Sequence, residues 1–332
     1  MSEPLFSRDQ ARAIEHRAKI ADELAQPVYG AIPSLLARFS LIPASTPEPG
    51  ASFYSRTNDH ATVTITPGAV YDPQTRQAVQ GTIPGGGLAN LSFMWLVNEV
   101  RQNLTRQVDS PERVDLGSNL NEYLRLLGIS KSGPRYRQAK EALRSVLGAS
   151  IQLHKFSEET RDGMAGRTHL MARAHVSDSF ELWESNGNEL DGFRPHVIGS
   201  EALLRLASEP GASPGRFDLL AQLANSVLAQ QALNWLSLRV WALNISNRQF
   251  DEFEWEDFYR NITHDYTRLD DFQRAWKRAL ARAVDHYPAV RDYLDLAARP
   301  SNPGTDARRR IVRLRRGAAL LIPEREFKQL EL

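Results

Sequence analysis

Cysteine is absent from this sequence of 332 residues. Its absence excludes disulfide bonds, thiolate catalysis and zinc sites built on cysteine ligands. The chain also lacks any apolar run approaching the roughly 20 residues that a membrane-spanning helix needs. Its first residues, Met1-Ser2-Glu3-Pro4, lack the charged and apolar regions of a signal peptide. These absences predict a cytoplasmic protein without a membrane partner.

Two enzymatic motifs that act on nucleic acid or nucleotide are missing as well. A rolling-circle nicking enzyme needs two histidines separated by one hydrophobic residue, but His169 and His175 are too far apart. His264 is followed by Asp265-Tyr266 and has no second histidine beside it. A phosphate-binding loop needs a lysine directly after its second glycine, whereas Gly133 is followed by Pro134. We therefore expect no enzyme activity, no catalytic residues, no metal and no cofactor.

Excess charge of either sign is also lacking, since 41 Lys and Arg residues balance 40 Asp and Glu residues to a net charge of +1. With 42% hydrophobic and 24% charged residues, the composition is that of an ordinary globular protein, long enough for two domains. The charge is uneven along the chain, however. The segment 251–257 is acidic, and the sequence after Asp270 is rich in arginine and lysine. Any nucleic-acid binding must therefore depend on local charge.

The strongest functional signal is a helix predicted from Asp270 to His286, with Asp270 as N-cap, Gln273 in the capping-box position and Pro288 after its end. Its apolar face carries Phe272, Trp276, Leu280 and Val284. Its opposite face carries Arg274, Lys277, Arg278 and Arg282. A cationic helix of this kind can lie in the major groove of DNA, where phosphates flank the base edges.

A basic hairpin is predicted directly after this helix. A short apolar stretch, 293–296, precedes a turn-rich segment, Pro300–Gly304, and then a cluster of arginines. The cluster contains Arg308, Arg309, Arg310, Arg313, Arg315 and Arg316, six arginines within nine residues. Such a cluster repels itself unless an anion or an acidic partner is present. A helix followed by a basic hairpin is the pattern of a winged helix, whose wing grips the DNA backbone.

The same order of helices followed by a hairpin occurs earlier in the chain. We therefore interpret residues 85–184 and 215–322 as two copies of one arrangement of helices and strands. A buried helix at 88–104, a short strand at 113–116 and two further helices precede a strand pair within 151–176. The last of these helices places Tyr136 and Leu143 on its inner stripe. Its outer face carries Arg135, Arg137, Gln138, Lys140 and Arg144.

The predicted fold class is therefore α+β, mainly helical, with two winged-helix domains in tandem. We place the first domain at residues 60–208 and the second, with the basic wing, at residues 209–332. Residues 1–59 form an N-terminal extension with a helix from Ser7 to Leu24 and an irregular segment. One long apolar helix is expected from Phe217 to Leu243.

Two other functions fit these patterns. A winged-helix transcriptional regulator would share every DNA-binding feature. A helical protein-interaction module would use the same basic faces against acidic partners, because an amphipathic helix with a cationic outer face is also typical of a solvated surface helix.

Several segments together resemble the plasmid-encoded RepA family of replication initiators, over roughly residues 60–305. They are Ile83–Gly87, Leu96–Val100, Leu116–Leu120, Leu126–Gly128, Ser132–Gly133, Ala232–Arg239, Phe272–Ala281, Tyr287–Pro288 and Pro300–Pro303. No single segment is as specific as a metal-binding signature, and their order carries the resemblance. Where relatives tend to have Tyr-Gly, this chain has Gly85-Gly86.

The resemblance implies a non-enzymatic bacterial initiator associated with plasmid DNA or the nucleoid. Such a protein would bind repeated sites, called iterons, in double-stranded origin DNA and open an adjacent AT-rich segment, with single-stranded DNA as a further partner. It would recruit the host initiator and the replicative helicase, and its first domain would share in forming a homodimer. Opening would draw on binding energy, which must offset several kcal/mol of DNA deformation.

Overall fold

The computed structural model describes residues 27–38, 40–57, 61–72, 76–117, 119–129, 133–161, 164–182, 195–262, 265–301 and 310–330. The helix predicted from Ser7 to Leu24 lies outside these residues. The fold is mixed α/β, with helices packed against small antiparallel sheets. Within the described ranges, no helix combines the length and the apolar character needed to cross a bilayer.

The helices of the described residues are between 5 and 20 residues long. They are α1 Ser34–Arg38, α2 Gly86–Thr105, α3 Leu120–Leu126, α4 Gly133–Gly148, α5 Glu201–Ala207, α6 Phe217–Gln222, α7 Val227–Ile245, α8 Trp255–Asn261, α9 Leu269–His286 and α10 Glu324–Lys328. A 3₁₀ turn, Pro288–Tyr293, follows α9.

The strands are short except for one long pair. They are β1 Tyr29–Pro33, β2 Tyr54–Thr57, β3 Ala61–Thr66, β4 Ala69–Asp72, β5 Gln77–Gln80, β6 Arg113–Asp115, β7 Ser150–Arg161, β8 Met164–His175, β9 Ser177–Phe180, β10 His196–Gly199, β11 Ala212–Arg216, β12 Phe250–Phe253, β13 Leu294–Ala298 and β14 Ile311–Arg315.

Two parts of the chain share one connectivity, and we call residues 86–199 the first unit and residues 227–315 the second unit. In each, a long helix is followed by a strand and two helices; four strands, β7 to β10, then complete the first unit, and two, β13 and β14, complete the second. In each, the last strand lies in the middle of a three-stranded sheet, with order β6-β10-β9 in the first unit and β12-β14-β13 in the second. The repeat seen in the sequence pattern is thus present as a repeated strand order. The domain boundaries after residues 59 and 208 stay a prediction.

The first unit differs from the sequence-based expectation in its hairpin. The predicted strand pair within 151–176 does form, as β7 and β8, but it joins the sheet β2-β3-β7-β8. Ile65 and Ile151 face each other across β3 and β7, and both are buried. The counterpart of the β13–β14 hairpin is instead the pair β9 and β10. The interpretation of β7–β8 as the first wing was therefore wrong, because β3 offers this hairpin an apolar partner strand.

The predicted helix from Phe217 to Leu243 is also wrong, because the structure divides it into α6 and α7. Ser226 caps α7 by accepting a hydrogen bond from the Ala229 amide at 3.2 Å. Gln230 then turns back and donates to the Leu220 carbonyl near the end of α6, at 2.9 Å. Apolar residues continue across the break, so the hydrophobic pattern does not reveal it.

A buried polar contact joins the two units through their first helices, α2 and α7. Gln230 is fully buried and accepts a hydrogen bond from Asn90 at 2.9 Å. Its amide also donates to the Gly87 carbonyl at 3.1 Å. A Cβ atom at Gly87 would overlap the carbonyl oxygen of Ala224, so glycine permits this close approach. The first turn of α2 is therefore fixed against the corner between α6 and α7.

The N-terminal segment reinforces this junction. Strand β1 pairs with β11, with Tyr29 opposite Arg216 and Pro33 opposite Ala212. The amide of Ala31 donates to the side chain of Asn98 on α2 at 2.9 Å. One strand thus bridges the first unit and the segment that leads into the second.

Gln230→Leu should destabilise the whole protein, because it keeps the volume but removes the buried hydrogen bonds of this side chain to the Asn90 amide and to the Gly87 and Leu220 carbonyls. We expect a loss of about 2–3 kcal/mol in the free energy of unfolding, measured by urea denaturation followed by circular dichroism. Gln222→Leu, at an exposed position of α6, is the matched control and should change the stability by less than about 0.5 kcal/mol. Equal effects of the two substitutions would contradict the role of the buried contact.

Glu99 of α2 is a second unusual polar group near the core of the first unit. It lines a groove of about 440 Å³ together with Asn103, Asp109, Arg113 and Asp115. Burial raises the pKa of its carboxyl group to about 7, although Arg106 and a hydrogen bond from Asn98 act in the opposite direction. The native protein therefore holds a proton on Glu99 more strongly than the unfolded chain does.

This raised pKa makes a sign-specific prediction about stability. The contribution of Glu99 is fully present below its ordinary pKa of 4.5 and is lost as pH rises through about 7. Glu99→Gln should therefore change the free energy of unfolding little at pH 4.5 and raise it by about 2 kcal/mol at pH 8, relative to the parent protein. Urea denaturation at both pH values measures the difference, and a pH-independent difference would contradict it.

Candidate nucleic-acid interface

Helix α9 presents one face to an aromatic core and the other to solvent. Phe272 and Trp276 are fully buried and stack on each other with ring centroids 6.1 Å apart and planes 13° apart. Trp276 also meets Phe258 of α8 at 5.8 Å and Trp235 of α7 at 6.5 Å. Because large rings from three helices interlock, α9 is held rigidly. The predicted apolar face of this helix is confirmed at Phe272, Trp276 and Leu280.

The predicted N-cap of this helix was wrong. The helix begins at Leu269, and Arg268 occupies the N-cap position without a side-chain hydrogen bond. Asp270 and Asp271 instead lie in the first turn, where negative charge interacts favourably with the helix dipole. Aspartate is favoured at both kinds of position, so the sequence alone does not separate them. The predicted end is confirmed, since α9 stops at His286 and the 3₁₀ turn starts at Pro288.

The four predicted cations of α9 lie on its outer side but differ in their contacts. Arg278 is exposed and donates to no other group within the described part of the chain. Arg274 is exposed and forms an ion pair with Asp271 at 2.5 Å. Lys277 is half-buried, with its ammonium 4.9 Å from the centre of the Trp255 ring. Arg282 donates to the side chain of Asn225. Arg278 is thus the most available cation of the helix.

Helix α4 occupies in the first unit the position that α9 occupies in the second. Its residues Arg135, Arg137 and Gln138 are exposed, whereas Lys140 and Arg144 are half-buried. The outward placement of these five side chains agrees with the sequence pattern. Tyr136 does not, because it is 38% exposed and lies outside the inner stripe where the sequence pattern placed it.

The hairpin β13–β14 follows α9, and its predicted arginines have different environments. Arg308 and Arg309 lie outside the described residues. Arg310 is exposed at the start of β14. Arg315 and Arg316 are exposed but donate to backbone carbonyls, those of Asp292 at 2.7 Å and Asn244 at 3.2 Å. The last two arginines therefore also hold neighbouring segments of the second unit together.

Arg313 is held inside the sheet rather than free in solvent. Its guanidinium lies between Glu252 and the Phe250 ring, with Nε donating to Glu252 at 2.8 Å and the ring centre 5.3 Å away. It also donates to the Arg299 carbonyl at 2.6 Å and to the Ser301 hydroxyl at 2.9 Å. Its predicted contact with DNA stays a prediction, but the structure already gives this side chain four partners.

Glu252, on the neighbouring strand β12, is the acidic centre of these contacts. Besides Arg313, it accepts hydrogen bonds from the Ser301 hydroxyl at 2.7 Å and the Ser301 amide at 3.2 Å. Partial burial alone would raise the pKa of Glu252, but the hydrogen bonds from Ser301 and Arg313 outweigh it and keep the pKa below its ordinary value. The carboxylate is therefore charged at neutral pH.

Sequence reasoning missed Arg299, which is exposed at the end of the hairpin strand β13. It follows Ala298, whose register partner is Ile311, while Arg310 directly precedes Ile311. Arg299 and Arg310 are therefore the first residues beyond the paired part of the hairpin on its two strands, at the start of the predicted wing. The only signal was the position of Arg299 directly before the turn-forming Pro300, which read as part of a loop.

Comparisons with known proteins find weak structural similarity. No protein-family model matches the chain, and no curated protein matches it. A crystal structure of selenomethionine derivatives of domains 2 and 3 of RctB has a TM-score of 0.45 and 14% sequence identity, covering 81% of this chain and 93% of that one. A second structure of RctB domains 2 and 3 has a TM-score of 0.41 and 12% identity, covering 82% and 95%. A likeness of this degree carries no conclusion about function.

Proposed function

We propose that this protein is a non-enzymatic replication initiator that binds repeated sites in double-stranded origin DNA through two winged-helix units. In each unit the third helix, α4 or α9, would enter the major groove. The adjacent hairpin of the second unit would hold the DNA backbone. These roles combine a base-reading element with a backbone-gripping one, as sequence-specific DNA binding requires.

One observation supports the proposal most. Helix α9 has a fully packed aromatic inner face and an outer face on which Arg278 projects freely, with Arg274 one turn before it. The exposed Arg299 and Arg310 lie in the hairpin that follows. A rigid helix and a hairpin that both expose cations suit a regularly charged polyanion better than an irregular protein surface.

The wider initiator role rests on the resemblance to the RepA family and on the repeated unit. Two DNA-binding units joined by a buried polar contact would bind one extended site as a single body. Opening of an AT-rich segment, recruitment of the host initiator and the replicative helicase, and a homodimer belong to the same proposal. Binding energy from many cations would offset the several kcal/mol that bending or melting DNA costs.

A winged-helix transcriptional regulator is the second candidate, because it would share the same groove-reading helix and hairpin. The two functions separate in cells. A plasmid carrying this gene with its flanking DNA and no other origin should replicate autonomously if the protein is an initiator. A regulator would bind the same DNA without maintaining the plasmid.

A protein-interaction module, the third alternative, would not bind duplex DNA at physiological salt.

The first test is a fluorescence anisotropy titration of the protein with duplexes from the DNA flanking its own gene. Scrambled duplex serves as competitor, and the salt concentration is varied. We expect preferential binding of at least one flanking duplex and a steep loss of affinity with salt, because each neutralised phosphate adds about 0.9 to the slope. Weak binding that does not distinguish the duplexes would exclude origin recognition.

Arg278→Ala should weaken binding to the preferred duplex by about tenfold, because it removes a cation that reads base edges, and should weaken scrambled-duplex binding much less. Arg310→Ala should weaken both to a similar degree and lower the salt slope by about one unit. Arg205→Ala, an exposed arginine of α5 paired with Glu201, is the control and should change neither. An equal loss with Arg278→Ala on both duplexes would remove its base-reading role.

A further inference from the structure

The β12–β14 region contains an arrangement that the proposed function does not yet use. We call Glu252, Arg299, Ser301, Arg310 and Arg313 the wing base. Glu252 and Arg313 have side chains that are 22% and 27% exposed, and Ser301 bonds to both. The group lies where β13 ends and β14 begins, at the two ends of the segment 302–309.

The contacts at the wing base fix backbone as well as side chains. Glu252 holds the amide of Ser301, and Arg313 holds the carbonyl of Arg299. The Ser301 amide and the Arg299 carbonyl lie just after the end of β13. Glu252 and Arg313, which bind them, lie on the strands β12 and β14 of the same sheet. Three consecutive residues, 299–301, are therefore anchored through their backbone at two points. This anchoring sets the direction in which the chain leaves the sheet.

Arg299 and Arg310 lie at this anchored point, and neither has an acidic partner among the described residues. Arg299 and Arg310 are each the next residue beyond the paired residues Ala298 and Ile311. Both are exposed, and among the described residues neither side chain has a hydrogen-bonding or ion-pairing partner. Like charges in neighbouring positions of a hairpin are destabilising unless an anion lies between them. Glu252, the carboxylate on the next strand, is already occupied by Arg313 and Ser301.

We propose that Glu252 is a positioning residue that anchors the wing base, so that Arg299 and Arg310 together bind the phosphate backbone of DNA. The inference rests on the proposed function, since it names the part of the second unit that grips DNA. It adds Arg299 as a DNA-binding residue. It also gives an acidic residue a supporting role in binding a polyanion.

Simple electrostatics gives the opposite expectation for Glu252, which makes the proposal testable. Removing this carboxylate raises the net charge by one and releases Arg313, and both changes alone would strengthen DNA binding. If Glu252 acts by anchoring, its removal should weaken binding, because Arg299 and Arg310 lose their common position. The sign of the effect separates the two accounts.

The experiment measures anisotropy with the preferred duplex over a range of salt concentrations, using the full chain. Glu252→Ala should weaken binding by about fivefold or more and lower the salt slope by one to two units, whereas Arg299→Ala should lower it by about one. Glu252→Gln keeps an acceptor oxygen for Ser301 and Arg313, so it should retain most of the affinity. Glu201→Gln is the control, since it removes an exposed carboxylate of α5, and it should leave binding unchanged.

Hydrogen exchange of the Ser301 amide adds a measurement that needs no DNA. In Glu252→Ala the amide loses its acceptor and should exchange faster, while amides of α7 keep their protection and show that the protein is folded. Unchanged exchange at Ser301 would overturn the anchoring. Binding by Glu252→Ala as tight as, or tighter than, that of the parent would overturn the inference alone. If the parent protein itself binds no duplex DNA, the proposed function fails and the inference fails with it.

Discussion

Gln230 connects three parts of the molecule from a position with no solvent access. Its side chain joins Asn90 and the backbone of Gly87 on α2 to the end of α6. Relative movement of the two units would break the buried hydrogen bonds of Gln230 to Asn90 and Gly87, at a cost of about 1–3 kcal/mol for each buried group left unpaired. The orientation of α4 relative to α9 therefore depends on this contact. Under the proposed function, α4 and α9 would meet DNA as two surfaces in fixed register.

For binding of an anion, the positions of the charged residues matter more than the net charge. The net charge of +1 gives no general attraction to a polyanion. Several arginines are instead matched to acidic groups inside the fold, as in the pairs of Arg216 with Asp218 and of Arg248 with Asp251. The first pair fixes the turn from β11 into α6 and the second fixes the start of β12, and both leave little field outside. Among the described cations of α9 and the following hairpin, Arg278, Arg299 and Arg310 have neither a hydrogen-bonding nor an ion-pairing partner, and they mark where an anion can bind.

The sequence predicted α9 and the hairpin β13–β14 because each has a local signal, whereas strand β12 was not predicted. The apolar spacing of α9, Pro288 after its end and the apolar stretch of β13 are all read within a few residues. The joining of β3 to β7 was not predictable, because it depends on strands that are far apart in sequence. The break before Ser226 was hidden by apolar residues on both sides. The internal role of Arg313 was hidden because a row of arginines looks alike in sequence, whereas only one of them lies beside Glu252.

The charges along α9 also decide which part of the helix can face DNA. Asp270 and Asp271 occupy its first turn, where their negative charge interacts favourably with the helix dipole but would repel a phosphate. Arg274 is partly neutralised by Asp271, and Lys277 lies over the Trp255 ring. Within the helical residues 269–286, the first cation with no partner among the described residues is therefore Arg278. Many recognition helices contact DNA with their N-terminal residues, but the aspartates make that end of α9 unfavourable. Under the proposed function, the middle turns around Arg278 would therefore be the part of this helix that faces the major groove.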